Sequence, residues 1–148
     1  MADADPHGLE RFVTAQNRGG TYAAALAELR AGCKRGHWMW FVFPQIAGLG
    51  SSPTARHYAI GSVEEAKAYL AHPVLGPRLR ESAEALVELD GAAGAEGILG
   101  SVDALKLRSS MTLFARAAPQ ETLFGRMLER YYDGAPDPAT DARLGERA

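Results

Sequence analysis

The side chains best suited to chemistry lie in an aromatic run near the first third of the chain. His37 precedes both tryptophans, Trp38 and Trp40, and Gln45 follows them. Imidazole titrates near neutral pH without perturbation, so His37 can serve as a general base or as a donor to phosphate. The tryptophans can stack against a planar ligand, and Gln45 completes this group of predicted ligand-binding residues. We expect His37 to be buried; a hydrogen-bonded core histidine is the alternative interpretation.

A second candidate is the glycine-serine loop GLGSS at residues 48–52. With Pro53 behind it, this loop can form a nest of backbone amides at the start of a helix, an arrangement that binds phosphate or carboxylate. We therefore predict Gly48, Gly50 and Ser51 as ligand-binding residues. The spacing matches neither a dinucleotide fingerprint, which needs a third glycine, nor a P-loop. A simple turn that ends in a serine cap is the structural alternative.

The third candidate group lies on a helix predicted to begin at Ser101. Asp103, Lys106 and Ser110 are three and four residues apart, so they share one side of that helix. Lys106 can supply the charge that counters an anion, and Ser110 can supply a hydroxyl donor. We predict His37 and Lys106 as candidate catalytic residues. The alternative is a purely structural ion pair between Asp103 and Lys106, which is common at this spacing.

Composition and charge exclude several classes of protein. A chain of 148 residues fills one domain, and its net charge of -2 provides no overall field for nucleic acid, so we expect no nucleic-acid partner. The longest apolar run, residues 38–43, is far too short to span a bilayer, and we expect no membrane association. A single cysteine, Cys33, cannot form an internal disulfide, which suits a reducing compartment. We predict a cytoplasmic monomer or small homo-oligomer.

Known catalytic signatures are absent from the sequence. It contains no Cys/His spacing of a zinc site, no HExxH motif and no Gly-x-Ser-x-Gly motif. We therefore predict no metal and no cofactor. A thiolate nucleophile at Cys33 is conceivable, but a lone free cysteine is more often inert. Whether the protein is an enzyme stays open at this point.

The elements that must position these residues are predicted to be helices. Capping and breaking residues divide the chain into segments with apolar residues at helical spacing, and no segment shows clean strand alternation. The run 38–43 fits a helix or a strand equally, because nearly every residue in it is apolar. We predict an all-α single domain, residues 1–148, of about seven to eight short helices packed around the aromatic segment. Their unequal lengths argue against a regular four-helix bundle, and we expect about 1–7 and 145–148 to be flexible.

Three stretches are the most distinctive parts of the sequence: GHWMWFVFPQIAGLG at 36–50, HPVLGPRL at 72–79 and DALKLRSSMTLF at 103–114. Together they resemble the bacterial family known as domain of unknown function 1810. The resemblance extends from Leu9 to about Leu144 and implies a mainly helical domain without an agreed activity. Members sometimes carry the label calpastatin, which we discount because calpastatins are disordered and this chain has capped, amphipathic segments.

Three functional hypotheses follow. In the first, the HWMWFVFPQ segment, the GLGSS loop and the KLRSSMTLF helix form a pocket that binds or processes a small anionic ligand, phosphate-bearing or nucleotide-like. In the second, the aromatic segment is an exposed anchor of a protein-protein interaction module. In the third, that segment is only structural core. The first hypothesis requires that the three segments meet in space.

Overall fold

A computed structural model describes residues 5–146 of the chain. Within that range the chain forms ten α-helical segments, and its only strand-like pairing is an isolated bridge between Ile46 and Ile60. The all-α prediction is therefore confirmed. The helices are α1 Glu10–Asn17, α2 Thr21–Ala31, α3 Met39–Val42, α4 Pro53–His57, α5 Val63–Ala71, α6 Leu75–Glu88, α7 Gly94–Leu99, α8 Ser101–Ala117, α9 Thr122–Tyr132 and α10 Pro138–Glu146.

Helix α8 lies at the centre of the fold. It contacts α5, α7, α9 and α10. Residues 109–114, six in a row, are all buried, so the middle of α8 is covered on every side. Four of the other nine helices in the described range thus pack against α8.

Several helix ends follow from local sequence signals. The Ser52 hydroxyl accepts a hydrogen bond from the Ala55 amide at 3.1 Å, and the Ser62 hydroxyl accepts one from the Glu65 amide at 3.1 Å. The Glu65 carboxylate differs from a capping box, because it binds the Gly61 amide at 2.9 Å instead of the amide of its own cap residue. Gly32 ends α2 with a φ of 73°, which glycine adopts without strain.

The ambiguous aromatic run forms a single helical turn, α3. Pro44 limits it, because the residue before a proline is driven out of the helical region, and Phe43 has φ -127° and ψ 76°. The free carbonyl of Phe41 at the end of α3 accepts hydrogen bonds from Gln16 Nε2 at 2.7 Å and from the Tyr69 hydroxyl at 3.4 Å. Burial raises the pKa of Tyr69 well above its ordinary value, so this phenol remains a neutral donor.

Two segments are more helical than the sequence indicated. The stretch 90–100 is rich in glycine and alanine, which favours a loop, yet it contains α7, whose Ile98 and Leu99 are buried. Asp137-Pro138 indicates only a short turn, yet the nine-residue helix α10 begins there. Together with α3, these two account for the excess over the predicted seven to eight helices.

The ends of the chain and its relation to membranes add two points. The predicted flexibility of about 1–7 and 145–148 stays a prediction, since residues 1–4, 147 and 148 lie outside the described range. Among the helices described here, none combines the length and the apolar character needed to cross a membrane.

Candidate functional site

The three segments of the first hypothesis are the HWMWFVFPQ segment, the GLGSS loop and the KLRSSMTLF helix. Residues from all three line one surface groove, which has a volume of about 520 Å³. Part of its wall is Trp40 from α3, Gln45 and the loop 49–52. The rest comes from α8, from Ala55 of α4, and from Asp137 and Ala139 at the start of α10. Val102, Leu105, Lys106 and Ser109 lie three and four residues apart, so they form one stripe along α8 that faces the groove.

A series of side-chain contacts links this groove to the core. It runs from Trp38 through Lys34, Asp103 and Lys106 to Trp40, with a ring at each end and three charged groups between them. Lys106 Nζ lies 4.8 Å from the Trp40 ring centre, and Lys34 Nζ lies 5.0 Å from that of Trp38. Both lysines bind one carboxylate, at 2.9 Å for Lys34 and 3.6 Å for Lys106. Each tryptophan is therefore covered by an ammonium group, and Asp103 is shared between the two.

The two tryptophans have different environments. Trp38 is 1% exposed, and its indole donates to Glu28 Oε1 at 2.9 Å. The same oxygen accepts from the amides of Arg35 at 2.8 Å and Gly36 at 3.0 Å. Burial raises the pKa of the Glu28 carboxyl, but these three donors outweigh it and hold the pKa below its usual 4.5. Trp38 is thus a core residue anchored by Glu28, whereas Trp40 is half-buried and lines the groove.

Two glycines of the loop, Gly48 and Gly50, let neighbouring side chains lie closer to the backbone than a Cβ atom would permit. Gly48 has a φ of 99°, and a Cβ there would lie 2.8 Å from the Arg143 Cζ atom. A Cβ on Gly50 would lie 2.7 Å from that of Ala55. Helix α4, which the loop precedes, is a single turn of five residues. Gly50 and Ser51 line the groove, whereas Gly48 faces Arg143 and is not among the residues that line it.

Ser110 also lies away from the groove. Its side chain is fully buried, and its hydroxyl has no hydrogen-bond partner among the described residues. The neighbouring Ser109 lines the groove instead and donates to Asp137 Oδ2 at 2.8 Å. Helical periodicity accounts for this difference: Ser109 follows Lys106 by three residues on the stripe of α8 that faces the groove, and Ser110 is rotated from that stripe toward the core.

Arg108 also lines the groove, although it was not among the predicted ligand-binding residues. Its guanidinium donates to the carbonyls of Ala135 at 3.0 Å and Pro136 at 2.9 Å, and so ties the segment before α10 to α8. Within residues 5–146 no carboxylate lies within ion-pair distance of Arg108. The groove therefore contains a second cation whose charge is not neutralised by direct pairing.

His37 is exposed, so the expectation that it is buried is wrong. It does not line the groove with Lys106. It lies on a neighbouring cavity of about 560 Å³ to which Trp40, Phe41, His57 and Tyr58 also contribute. The structure therefore brings Trp40, Gln45, Gly50, Ser51 and Lys106 together, and it places His37 next to them across Trp40.

Metal binding has no support from the described part of the chain. Residues 5–146 hold no group of three or more His, Cys, Asp or Glu side chains arranged to ligate an ion. Cys33 is free and exposed. The groove itself presents lysine, arginine, amide, hydroxyl and carboxylate groups.

Comparison with known proteins identifies relatives without an assigned activity. A family model described as "Protein of unknown function (DUF1810)" matches residues 6–144. The chain is similar to the crystal structure, at 1.38 Å, of the conserved hypothetical protein Rv1873 from Mycobacterium tuberculosis, with 53% identity and a TM-score of 0.91. That similarity covers 95% of this chain and 99% of the other. No curated protein matches.

Proposed function

The chain belongs to the DUF1810 family of proteins of unknown function, and for this member we propose the binding of a small anionic ligand, phosphate-bearing or nucleotide-like, in the groove between Trp40 and α8. The observation that carries the proposal is the position of Lys106, whose ammonium group is held 4.8 Å from the Trp40 ring centre inside that groove. When a cation lies beside an accessible ring, the cation can bind an anion while the ring stacks against a planar group of the same ligand.

The charges around Lys106 support an anionic ligand. Asp103 binds Lys34 at 2.9 Å and Lys106 at 3.6 Å, so its charge is used mainly by Lys34. Arg108 adds a second cation that lacks a direct carboxylate partner among the described residues. The acid that does line the groove, Asp137, already accepts hydrogen bonds from Ser109 and Thr140. Lys106 keeps only a long contact with Asp103, and Arg108 donates only to carbonyls, so both cations can still attract phosphate.

The apolar part of the groove supports a ligand that is more than a bare ion. Val102 and Leu105 are each 65% exposed, and both line the groove beside Lys106. Apolar walls with a few convergent polar groups are typical of small-molecule sites, and a volume of about 520 Å³ falls within their usual range. A ligand with a ring or carbon skeleton attached to a phosphate fits this combination.

A thermal-shift screen against nucleotides and sugar phosphates tests the proposal, because selective binding raises the unfolding temperature by mass action. We expect a reproducible shift that is lost in Lys106→Met, which removes the charge but keeps most of the stem against Trp40. The matched control is Lys67→Met, since Lys67 is an exposed lysine on α5 that does not line the groove. An equal shift in both variants, or no shift across the panel, would contradict the proposal.

The same exposed side chains favour a second candidate function, a protein-protein interaction. Val102 and Leu105 are large apolar residues that are unusually exposed on one helix. If they anchor a second copy of this chain, the wild type will associate at high concentration and Leu105→Lys will not. Light scattering on both proteins measures this, and two monomers would rule out self-association through this face.

A further inference from the structure

The cavity that contains His37 has a chemistry different from that of the groove. We call it the aromatic cleft, because five aromatic side chains line it together with Pro53 and Thr54: His37, Trp40, Phe41, His57 and Tyr58. The described residues that line it include no lysine, arginine, aspartate or glutamate, although its volume, about 560 Å³, is similar to that of the groove. The aromatic cleft is thus lined mainly by aromatic rings and by no formally charged side chain, whereas the neighbouring groove contains two cations, Lys106 and Arg108.

The rings of the aromatic cleft are held in place by contacts within the protein. Tyr58 packs against Phe41 with ring centres 5.3 Å apart and against His57 at 4.6 Å, in an edge-on arrangement. Arg11 Nε donates to the carbonyl of His57 at 2.8 Å, and Arg11 Nη2 donates to that of Ala59 at 2.8 Å. The walls are therefore already ordered in the free protein, which lowers the entropy cost of binding.

The aromatic cleft and the groove are adjacent. Trp40 lines both, and it also lines a small cavity of about 10 Å³ to which Gln45 and Tyr58 contribute. Helix α4 lies between the two larger spaces, because Ala55 lines the groove and His57 lines the cleft. One ligand that passes over Trp40 can therefore occupy both.

We propose that the aromatic cleft holds the heteroaromatic ring of a ligand whose phosphate lies in the groove, which makes a nucleoside phosphate the substrate class of this site. This inference rests on the proposed function, since it assigns the second half of the same ligand. Stacking on aromatic side chains is the usual way in which proteins hold nucleobases, and the imidazoles of His37 and His57 can exchange hydrogen bonds with a base edge. A sugar phosphate would leave the cleft empty, and a free nucleoside would leave Lys106 without its anion.

Isothermal titration calorimetry with three kinds of probe tests the inference: AMP and UMP, ribose 5-phosphate, and adenosine. The variants are Lys106→Met and the double variant His37→Ala/His57→Ala, whose two histidines are both exposed, so folding should be retained. We expect AMP and UMP to lose at least about fivefold in affinity in each variant, as expected for loss of a stacking or a charge contact. Ribose 5-phosphate should weaken only in Lys106→Met, and adenosine only in the double histidine variant.

The outcomes separate this inference from the proposed function. If the double histidine variant binds AMP and UMP as the wild type does while Lys106→Met does not, the groove binds the anion and the cleft assignment is overturned. Equal affinity of the wild type for AMP and ribose 5-phosphate would overturn it as well. If no phosphate probe binds, or if Lys106→Met binds all of them normally, the proposed function itself fails.

Discussion

Replacing Gly76 by alanine is expected to destabilise the protein, although alanine is the better helix former. Gly76 lies in the first turn of α6 and is buried against the end of α5. A Cβ at this position would lie 2.1 Å from the Leu70 carbonyl oxygen and 2.9 Å from its carbon, distances that real Cβ atoms essentially never show. The Leu70 carbonyl oxygen also accepts a hydrogen bond from Arg80 at 3.3 Å, which further restricts its movement.

Two effects of opposite sign determine the size of the change. Helix propensity favours alanine over glycine by about 1 kcal/mol. To reach a normal contact distance α6 must move from α5 by roughly 1 Å, and overpacking of this kind costs about 1–3 kcal/mol or more, because the backbone carbonyl cannot rotate away. At 2.1 Å the clash lies toward the upper end of that range and outweighs propensity, so we expect Gly76→Ala to lower the free energy of unfolding by about 1–2 kcal/mol, or the Tm by about 2–8 °C.

Urea unfolding followed by circular dichroism measures this difference. Gly125→Ala is the matched control, since Gly125 lies inside α9 and a Cβ there meets nothing within 4 Å. It should raise the free energy of unfolding by about 0.5–1 kcal/mol, by propensity and by reduced freedom of the unfolded chain. If Gly76→Ala is as stable as the wild type, the close approach of α5 and α6 is not as described.

Two further predictions concern the groups behind the groove. Glu28→Gln should lower the free energy of unfolding at pH 7 by about 1–2 kcal/mol, because it weakens the acceptor for Trp38 and two amides. Since the folded-state pKa of Glu28 is lowered, its contribution is present above the ordinary value of 4.5 and is lost as pH falls through the lower folded value, so the difference between the proteins should shrink as the pH falls below 4.5. A difference that stays constant in urea titrations over this pH range would contradict this. Lys34→Met should leave Asp103 to pair with Lys106 alone, and it should weaken ribose 5-phosphate binding by about fivefold, the scale of a partly solvated ion pair. Asp103→Asn should strengthen the same binding. Calorimetry that shows affinity changes of the same direction for both variants would be inconsistent with a carboxylate shared by the two lysines.

The parts of the fold that the sequence predicts are those with local causes. Ser52, Ser62 and Gly32 act within one helical turn of their own positions, and each lies at a helix end where its residue type favours one. Helix α7 was missed because its glycines are poor helix formers and its stability depends on distant contacts. Its Ile98 and Leu99 are buried, and the Ile98 carbonyl accepts the Lys34 amide at 2.9 Å, which no local pattern reveals.

The candidate site shows the same division. The first hypothesis required three segments to meet, but the sequence could decide neither whether they do nor which side chains of each segment face the groove. Trp38 and Trp40 are two residues apart at the start of a helical turn, so they point in roughly opposite directions, one into the core and one into the groove. His37 was expected to accompany Lys106, but the two line different spaces that share only Trp40, and that depends on tertiary packing.

The most direct test of the groove as an anion site is to record ¹⁵N–¹H NMR spectra during a titration with AMP. Binding there predicts that the Trp40 indole signal and the amides of 45–52 and 102–109 shift first and saturate together. A second basic surface, lined by Lys67, Arg80 and Arg116 on a cavity of about 540 Å³, provides the internal comparison. Shifts confined to that surface, with Trp40 unchanged, would contradict the assignment of the ligand to the groove.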